Sequence, residues 1–277
     1  MSFAGLRVLS LESRRAKEME TLIRRFGGEP FVAPSVQERA LDSNAGALAW
    51  ADRLLAGDFD LVLFTTGVGL EYLRDAVLSR YSKEELGAAL QRVTVAARGP
   101  KPLAILHELG VKPALRIPEP NTWREMVPML AERSERRISV QEYGRPNPEF
   151  TVALEALGAT VSAVSVYRWE MPDDIGQLKQ AVRKLVRREF DVVIFTTSVQ
   201  LVHLFELAAH LGVAAEVQAI LERDLVVASV GPIMTNALRD RAIEPDIVPE
   251  HPKMAALVRA AAEQSAVRLA AKRGVTA

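Results

Sequence analysis

The chain has 277 residues, 49% of them hydrophobic and 25% charged, which is enough for about two domains with cores of their own. Its 35 basic and 35 acidic side chains cancel, so no overall field draws nucleic acid. The absence of cysteine excludes a disulfide framework and a thiolate metal site, and no apolar run approaches the roughly 20 residues that span a bilayer.

The start, Met1-Ser2-Phe3-Ala4-Gly5-Leu6-Arg7-Val8, does not read as a signal peptide, and the expectation is a cytoplasmic protein. Arg7–Leu11 is a short apolar strand. Ser13 is placed to cap the next helix, whose Ala16, Met19, Leu22, Ile23 and Phe26 recur at helical spacing before Gly27-Gly28 ends it. Phe31–Val36 is a second strand. A helix through Leu48, Ala51 and Leu55 leads to an apolar strand ending in Phe64-Thr65-Thr66-Gly67, the pattern of a strand buried on both faces. Val93–Ala97 and Leu115–Ile117 complete this half. The order then recurs: Ile138–Gln141, a helix through Phe150, Ala153, Leu154 and Leu157 ending at Gly158, and Val161–Val166. A helix through Leu178, Ala181 and Leu185 precedes the strand ending in Phe195-Thr196-Thr197-Ser198; Leu225–Val230 and Asp246–Val248 are the last strands. From about Lys253 the chain is an alanine-rich helix, with fraying expected over Gly274–Ala277. Strands alternating with helices predict two similar flavodoxin-like or Rossmann-like α/β domains with parallel sheets.

The recurrence extends to residues. Phe59–Leu70 and Phe190–Leu201 agree at eight of twelve positions, about 130 residues apart. Arg7, Glu12, Arg15, Gly28, Ser35 and Val36 recur as Arg137, Glu142, Arg145, Gly158, Ser165 and Val166; Gly99, Pro100, Leu106 and Pro113 recur as Gly231, Pro232, Leu238 and Pro245. This spacing is a duplicated domain, with units of about Arg7–Glu119 and Arg137–Glu250, since solenoid repeats are shorter. Linkers fall at equivalent places, about 36–42 and 166–174. If the chain crosses between domains at both, one domain is 1–36 with 172–277 and the other is 41–166. Two such domains make a cleft, the usual place for a ligand.

In an open parallel sheet, ligands lie beyond the carboxyl ends of strands, near helix N-termini. Those ends are Thr65-Thr66-Gly67, Thr196-Thr197-Ser198, Arg98-Gly99-Pro100 and Gly231-Pro232, small residues that leave backbone N–H groups open to an anion or that simply cap helices. Gly67-Val68-Gly69 lacks the third glycine of a dinucleotide fingerprint, no triphosphate loop or serine-nucleophile elbow occurs, and the four histidines are scattered. Asp58, Asp60, Glu189 and Asp191 lie at strand starts and read as solvated turn carboxylates. Tyr143, in Gln141-Glu142-Tyr143-Gly144-Arg145-Pro146, and Tyr167, at the second linker, are either packing residues or proton donors.

With these motifs in order over about residues 5–260, the sequence resembles the uroporphyrinogen-III synthase family. The matching segments are Phe64–Val68, Ala97–Val111, Glu142–Pro146, Val166–Trp169, Phe195–Gln200 and Val230–Pro232. The resemblance implies two α/β domains joined by two linkers, with the first strand-helix-strand packed into the C-terminal domain. It implies a monomeric enzyme without cofactor or metal that closes hydroxymethylbilane, a linear tetrapyrrole, to uroporphyrinogen III with inversion of the last ring. Under that reading the substrate carboxylates meet backbone amides after Thr65, Thr196, Gly99 and Gly231, helped by Arg14, Arg98 and Arg145. Thr66, Gly67, Tyr143, Gly144, Thr197 and Ser198 complete the binding set, and Tyr167 is the acid that protonates the departing hydroxyl. Many members carry a threonine pair after the last glycine-proline; here Ile233 and Met234 stand there, and Thr235 is the substitute contact. Two other readings stay open: a ligand-binding or regulatory protein of this fold without catalysis, and a hinged binding protein of the periplasmic type.

Overall fold

A computed structural model describes residues 2–118 and 123–274; the repeat boundary at Glu119 and residues 275–277 of the tail lie outside the described residues. The chain runs β1 (Arg7–Ser10), α1 (Ala16–Arg25), β2 (Glu29–Val32), β3 (Gln37–Ala40), α2 (Ala45–Leu55), β4 (Leu61–Phe64), α3 (Gly67–Val77) and α4 (Lys83–Gln91). It continues through β5 (Thr94–Arg98), α5 (Pro100–Glu108), β6 (Leu115–Ile117), α6 (Trp123–Ala131), β7 (Arg137–Gln141), α7 (Pro148–Glu155), β8 (Thr160–Val164) and β9 (Tyr167–Glu170). The remainder is α8 (Gly176–Val186), β10 (Val192–Phe195), α9 (Ser198–His210), α10 (Ala214–Arg223), β11 (Val226–Ser229), α11 (Pro232–Arg239) and α12 (Met254–Lys272). The chain forms two compact units, Met1–Gln37 with Glu170–Ala277 (unit 1) and Glu38–Trp169 (unit 2). It passes from one to the other on β3 and β9, which pair with each other. Among the described residues no helix is long and apolar enough to cross a membrane.

Unit 1 holds a parallel sheet in the order β11-β10-β1-β2. Alternate residues of β10 face opposite sides, as strand geometry demands. Val193 and Phe195 pack with α8, α9, α10 and α11, whereas Val192 and Ile194 pack with α1 and α12. Unit 2 holds a parallel sheet in the order β6-β5-β4-β7-β8. There Val62 and Phe64 face α2, α3, α4 and α5, and Leu61 and Leu63 face α6 and α7. Every residue of β4 and β10 is fully buried, so truncating one, as in Ile194→Ala, costs about 2–5 kcal/mol.

Several local expectations are corrected. Ser13 does not cap α1, whose N-terminal position is Arg15 without a side-chain cap. The Ser13 hydroxyl oxygen instead accepts the Ser35 and Val36 amides at 3.1 and 2.9 Å, and the strand expected over Phe31–Val36 ends at Val32. The strand expected over Asp246–Val248 is a single bridge, Ala228 to Ile247.

Asp60 and Asp191 are not solvated turn carboxylates. Arg7 donates from Nε to Asp191 Oδ2 at 2.9 Å and from its backbone N at 3.0 Å, and Arg273 reaches Oδ1 at 3.0 Å. In unit 2, Arg137 donates to Asp60 from Nε and Nη2 at 3.0 and 2.5 Å, with backbone bonds from Arg136 and Arg137. Each pair ties the start of the strand from the first half of its repeat to the neighbouring central strand. Burial opposes ionisation of Asp191, but the bonds from Arg7 and Arg273 outweigh it and hold the carboxyl at about 2. The Arg137 side chain, with backbone donors, brings Asp60 to about 2 as well.

Candidate functional site

The carboxyl end of β4 gathers the polar groups of unit 2. Thr66 adopts an extended conformation and caps α3, its hydroxyl oxygen accepting the Gly69 amide at 2.9 Å. Thr65 turns its hydroxyl to the Gln141 carbonyl at 2.7 Å, stitching β4 to β7. The Gln141 side chain is fully buried beneath the strand end. Its Oε1 accepts the Thr66 amide at 3.3 Å and its Nε2 donates to the Glu142 carbonyl. Gly69 makes this possible, because a Cβ there would lie 1.9 Å from Gln141 Nε2.

Arg98 ends the adjacent strand β5. Its Nε donates to the Thr65 carbonyl at 2.7 Å, and its guanidinium sits 4.8 Å from the centre of the Tyr143 ring. Burial lowers its pKa from the ordinary value, an effect that Tyr143 and Tyr167 oppose. An arginine still keeps its proton at neutral pH. Among the described residues no carboxylate pairs with it. Arg98 is thus a half-buried cation held by a carbonyl and an aromatic face, with guanidinium donors left over.

Tyr167 lies on β9 and is 2% exposed, stacked on Tyr72 with centroids 5.9 Å apart. Of the two roles open to it, packing is the one its ring fills: it is part of the unit 2 core. Its hydroxyl is 3.3 Å from Thr66 Oγ1, so it meets the strand end through Thr66. Tyr143 stays 38% exposed and stands edge-on to Trp169, centroids 4.4 Å apart. Gly144 is in the left-handed region, and Arg145 is exposed on the same loop.

The matching end in unit 1 is built differently. The Thr196 hydroxyl donates to Glu12 Oε2 at 2.5 Å. Gln200, on α9, supplies the buried amide, its Oε1 accepting Thr196 N at 2.8 Å and Thr197 N at 3.4 Å. The amides of Thr66 and Thr197, offered by the sequence to substrate carboxylates, are therefore taken by glutamine side chains. Ser198 is buried at the start of α9, and Arg14 is exposed on the loop after β1. Gly99 and Gly231 immediately precede α5 and α11; Pro100, Pro102 and Pro232 have no N–H, which leaves Lys101 in α5 and Ile233 and Met234 in α11 with first-turn amides that lack an intrahelical acceptor. Gly67 is instead the first residue within α3, following the Thr66 cap. Thr235 does not offer its hydroxyl outward: it is buried, 3.0 Å from Ser229 Oγ, while Met234 packs in the core and Ile233 is exposed.

Unit 2 thus joins Thr65, Thr66, Arg98, Tyr143 and Tyr167 in one contact network, to which sequence reasoning did not assign Gln141 or Trp169. Unit 1 joins Thr196 and Thr197 with Gln200 and Glu12. The recurrence of Glu12 and Glu142 was a readable signal; the glutamines, which come from different positions in the two halves, left none. Among the described residues no group of histidines and carboxylates is arranged to hold a metal.

A family model described as uroporphyrinogen-III synthase HemD matches residues 17–259. YjjA of Bacillus subtilis (strain 168), an uncharacterized protein, is 31% identical over 264 residues, covering 92% of this chain and 94% of its own. A mutant uroporphyrinogen III synthase from the extremely thermophilic bacterium Thermus thermophilus superposes with a TM-score of 0.69 at 24% identity, covering 95% of this chain and 100% of that one. The wild-type Thermus thermophilus protein in another crystal form gives 0.51 at 25% identity, with 98% and 100% covered. The uroporphyrinogen-III synthetase of Helicobacter pylori 26695 gives 0.52 at 14% identity, with 92% and 97% covered. At these identities the structures establish the shared two-domain α/β fold, and the family match over most of the chain establishes kinship: this chain belongs to the uroporphyrinogen-III synthase family.

Proposed function

We propose that this chain is a uroporphyrinogen-III synthase: it closes hydroxymethylbilane to uroporphyrinogen III, inverting the last pyrrole and releasing one water. The observation that carries the reading, within a chain of this family, is Arg98. It is a half-buried cation without a carboxylate, beside the Thr65–Thr66 strand end. That is the group a substrate bearing many carboxylates needs, and charge-assisted bonds of this kind contribute about 1.5–3 kcal/mol each. The Lys101 amide at the start of α5 and the Ile233 and Met234 amides at the start of α11 add donors, so several weak contacts share the binding.

The chemistry asks little of the protein. The C–O bond of the terminal hydroxymethyl group breaks as the pyrrole nitrogen pushes its electron pair, and the oxygen takes a proton and leaves as water. The azafulvene is attacked by the substituted carbon of the last ring, giving a spiro intermediate. Fragmentation and recombination through the unsubstituted carbon turn the ring around. The proton that this carbon loses balances the one given to the leaving oxygen.

The proton donor in this reading is the Thr66–Tyr167 pair. Thr66 Oγ1 accepts from Gly69 N, and if it also accepts from the Tyr167 hydroxyl, both of its lone pairs are used. Its own proton then points away from these partners, toward a departing oxygen. Tyr167 orders that hydroxyl from behind, whereas ring orientation is spread over the whole binding surface.

Product analysis tests the function. Hydroxymethylbilane closes unaided to the uninverted isomer I, so incubation with the purified chain should give isomer III at a rate proportional to protein. Isomer I alone, with the bilane bound, would identify a binding protein of this fold instead.

A further inference from the structure

The anion-binding group of unit 2 does not stand alone; three side chains are stacked in order. The guanidinium of Arg98 lies 4.8 Å from the Tyr143 ring centre. Tyr143 meets Trp169 edge to face, at 4.4 Å and 89°. Trp169 lies against the Gly144 backbone, where a Cβ would come within 2.8 Å of its ring, and its own amide reaches the Gly144 carbonyl at 3.4 Å. Gly144 has φ of 64°, so the residue is fixed as glycine both by conformation and by the indole.

Tyr143 is 38% exposed and emerges from a loop, not from a strand or helix. Such a ring has little core packing to fix its rotamer, and it meets the indole on one side and the guanidinium on the other. Arg98 is tethered through Nε to Thr65 O, and the aromatic face is what keeps the rest of the fork in place. A cation over an aromatic face gains most where water is displaced, and burial at Arg98 is sufficient to lower its pKa.

We infer that Trp169 is a positioning residue for the substrate-carboxylate site, acting through the Tyr143 ring on Arg98. This rests on the reading of Arg98 as a carboxylate-binding group. The tyrosine contributes its ring rather than its hydroxyl. Trp169 touches no substrate: it fixes the aromatic face against which Arg98 is held, so that the guanidinium does not have to be ordered anew at each binding event.

The test is titration of the full chain with uroporphyrin III, a stable octacarboxylate, at low salt, with hydroxymethylbilane turnover measured in parallel. Trp169→Ala should weaken uroporphyrin binding about three- to tenfold and raise KM alike, with kcat within about twofold. Trp169→Phe should recover most of the loss. Tyr143→Leu should match Trp169→Ala, and Tyr143→Phe, which keeps the ring, should lose less than Tyr143→Leu; the Tyr143 variants also cover the case in which Trp169→Ala does not fold. The deciding arm is the double variant: in an Arg98→Ala background, Trp169→Ala should add less than about twofold, because its route to the ligand is gone. Additive losses in the double variant, or wild-type binding by both Trp169→Ala and Tyr143→Leu, would overturn the inference while leaving Arg98 as the anion site. Unchanged binding by Arg98→Ala alone would overturn the underlying reading instead.

Discussion

The strand ends of β4 and β10 look alike in sequence but hold their threonines with different partners. Both end in Phe-Thr-Thr, and both place a glutamine carbonyl on the amide of the second threonine. In unit 1 that glutamine is Gln200 on α9; in unit 2 it is Gln141 on β7, and Gly69 stands where α9 has Gln200. The residue before the glycine-proline pair differs as well: Arg98 precedes Gly99-Pro100, whereas Val230 precedes Gly231-Pro232 and packs against the core. The first threonine lends its carbonyl to Arg98 in unit 2 and its hydroxyl to Glu12 in unit 1. The first threonine therefore touches a cation in unit 2 and a carboxylate in unit 1. The difference teaches that a shared backbone cap does not fix what a strand end binds; the flanking side chain does.

At the other ends of the same two strands the units differ most in stability. Asp191 and Asp60 make equivalent bonds, but the Asp191 side chain is 8% exposed and held by two arginines, whereas Asp60 is 31% exposed with one ion-pair partner. Asp191→Asn should lower stability by about 3 kcal/mol and Asp60→Asn by less than about 1 kcal/mol, read by urea denaturation. Both carboxyls are held at about 2, below their unfolded values. Their contribution is thus complete above about pH 4 and is lost as pH falls toward about 2. Asp191→Asn should flatten that acid limb more than Asp60→Asn; equal flattening would erase the distinction between the units.

The next effect is on turnover. Tyr167→Phe and Thr66→Val should each reduce kcat by about 10–100-fold while still giving isomer III. Thr66→Ser should retain activity. Mainly isomer I from Tyr167→Phe, at a normal rate of bilane consumption, would make Tyr167 a steering residue rather than part of the proton path.

The glutamine exchange predicts a change of about 1–3 kcal/mol in stability. Gly69→Gln should destabilise unit 2 by overpacking Gln141, and adding Gln141→Leu, which copies the unit 1 arrangement, should restore most of the loss. A further modest effect belongs to unit 1. Thr235→Val should cost about 1 kcal/mol of stability through the lost bond to Ser229 and leave KM unchanged.

The alternating elements were legible because β4 and β10 are apolar at every position and the helices between them are amphipathic. The Arg7–Asp191 and Arg137–Asp60 pairs were half legible: all four residues recur in the repeat, but partners 184 and 77 positions apart cannot be matched from local pattern. Ser13 has the right place for a cap, and a tertiary demand from the Ser35 and Val36 amides takes its hydroxyl instead. At the strand ends, sequence singled out Thr65, Thr66, Arg98 and Tyr143. It missed Gln141 because accommodating that amide depends on a second position, Gly69, whose meaning appears only when the two residues are in contact.

The claim that the substrate-binding cation belongs to the unit 2 strand end is tested most directly by giving that end the unit 1 residue. Steady-state kinetics with hydroxymethylbilane at low salt should show KM raised about tenfold in Arg98→Val, and by less than about threefold in Arg14→Ala, whose arginine is exposed on the unit 1 loop. The contrast should shrink as salt is added. A wild-type KM in Arg98→Val, or a larger loss in Arg14→Ala, would contradict it.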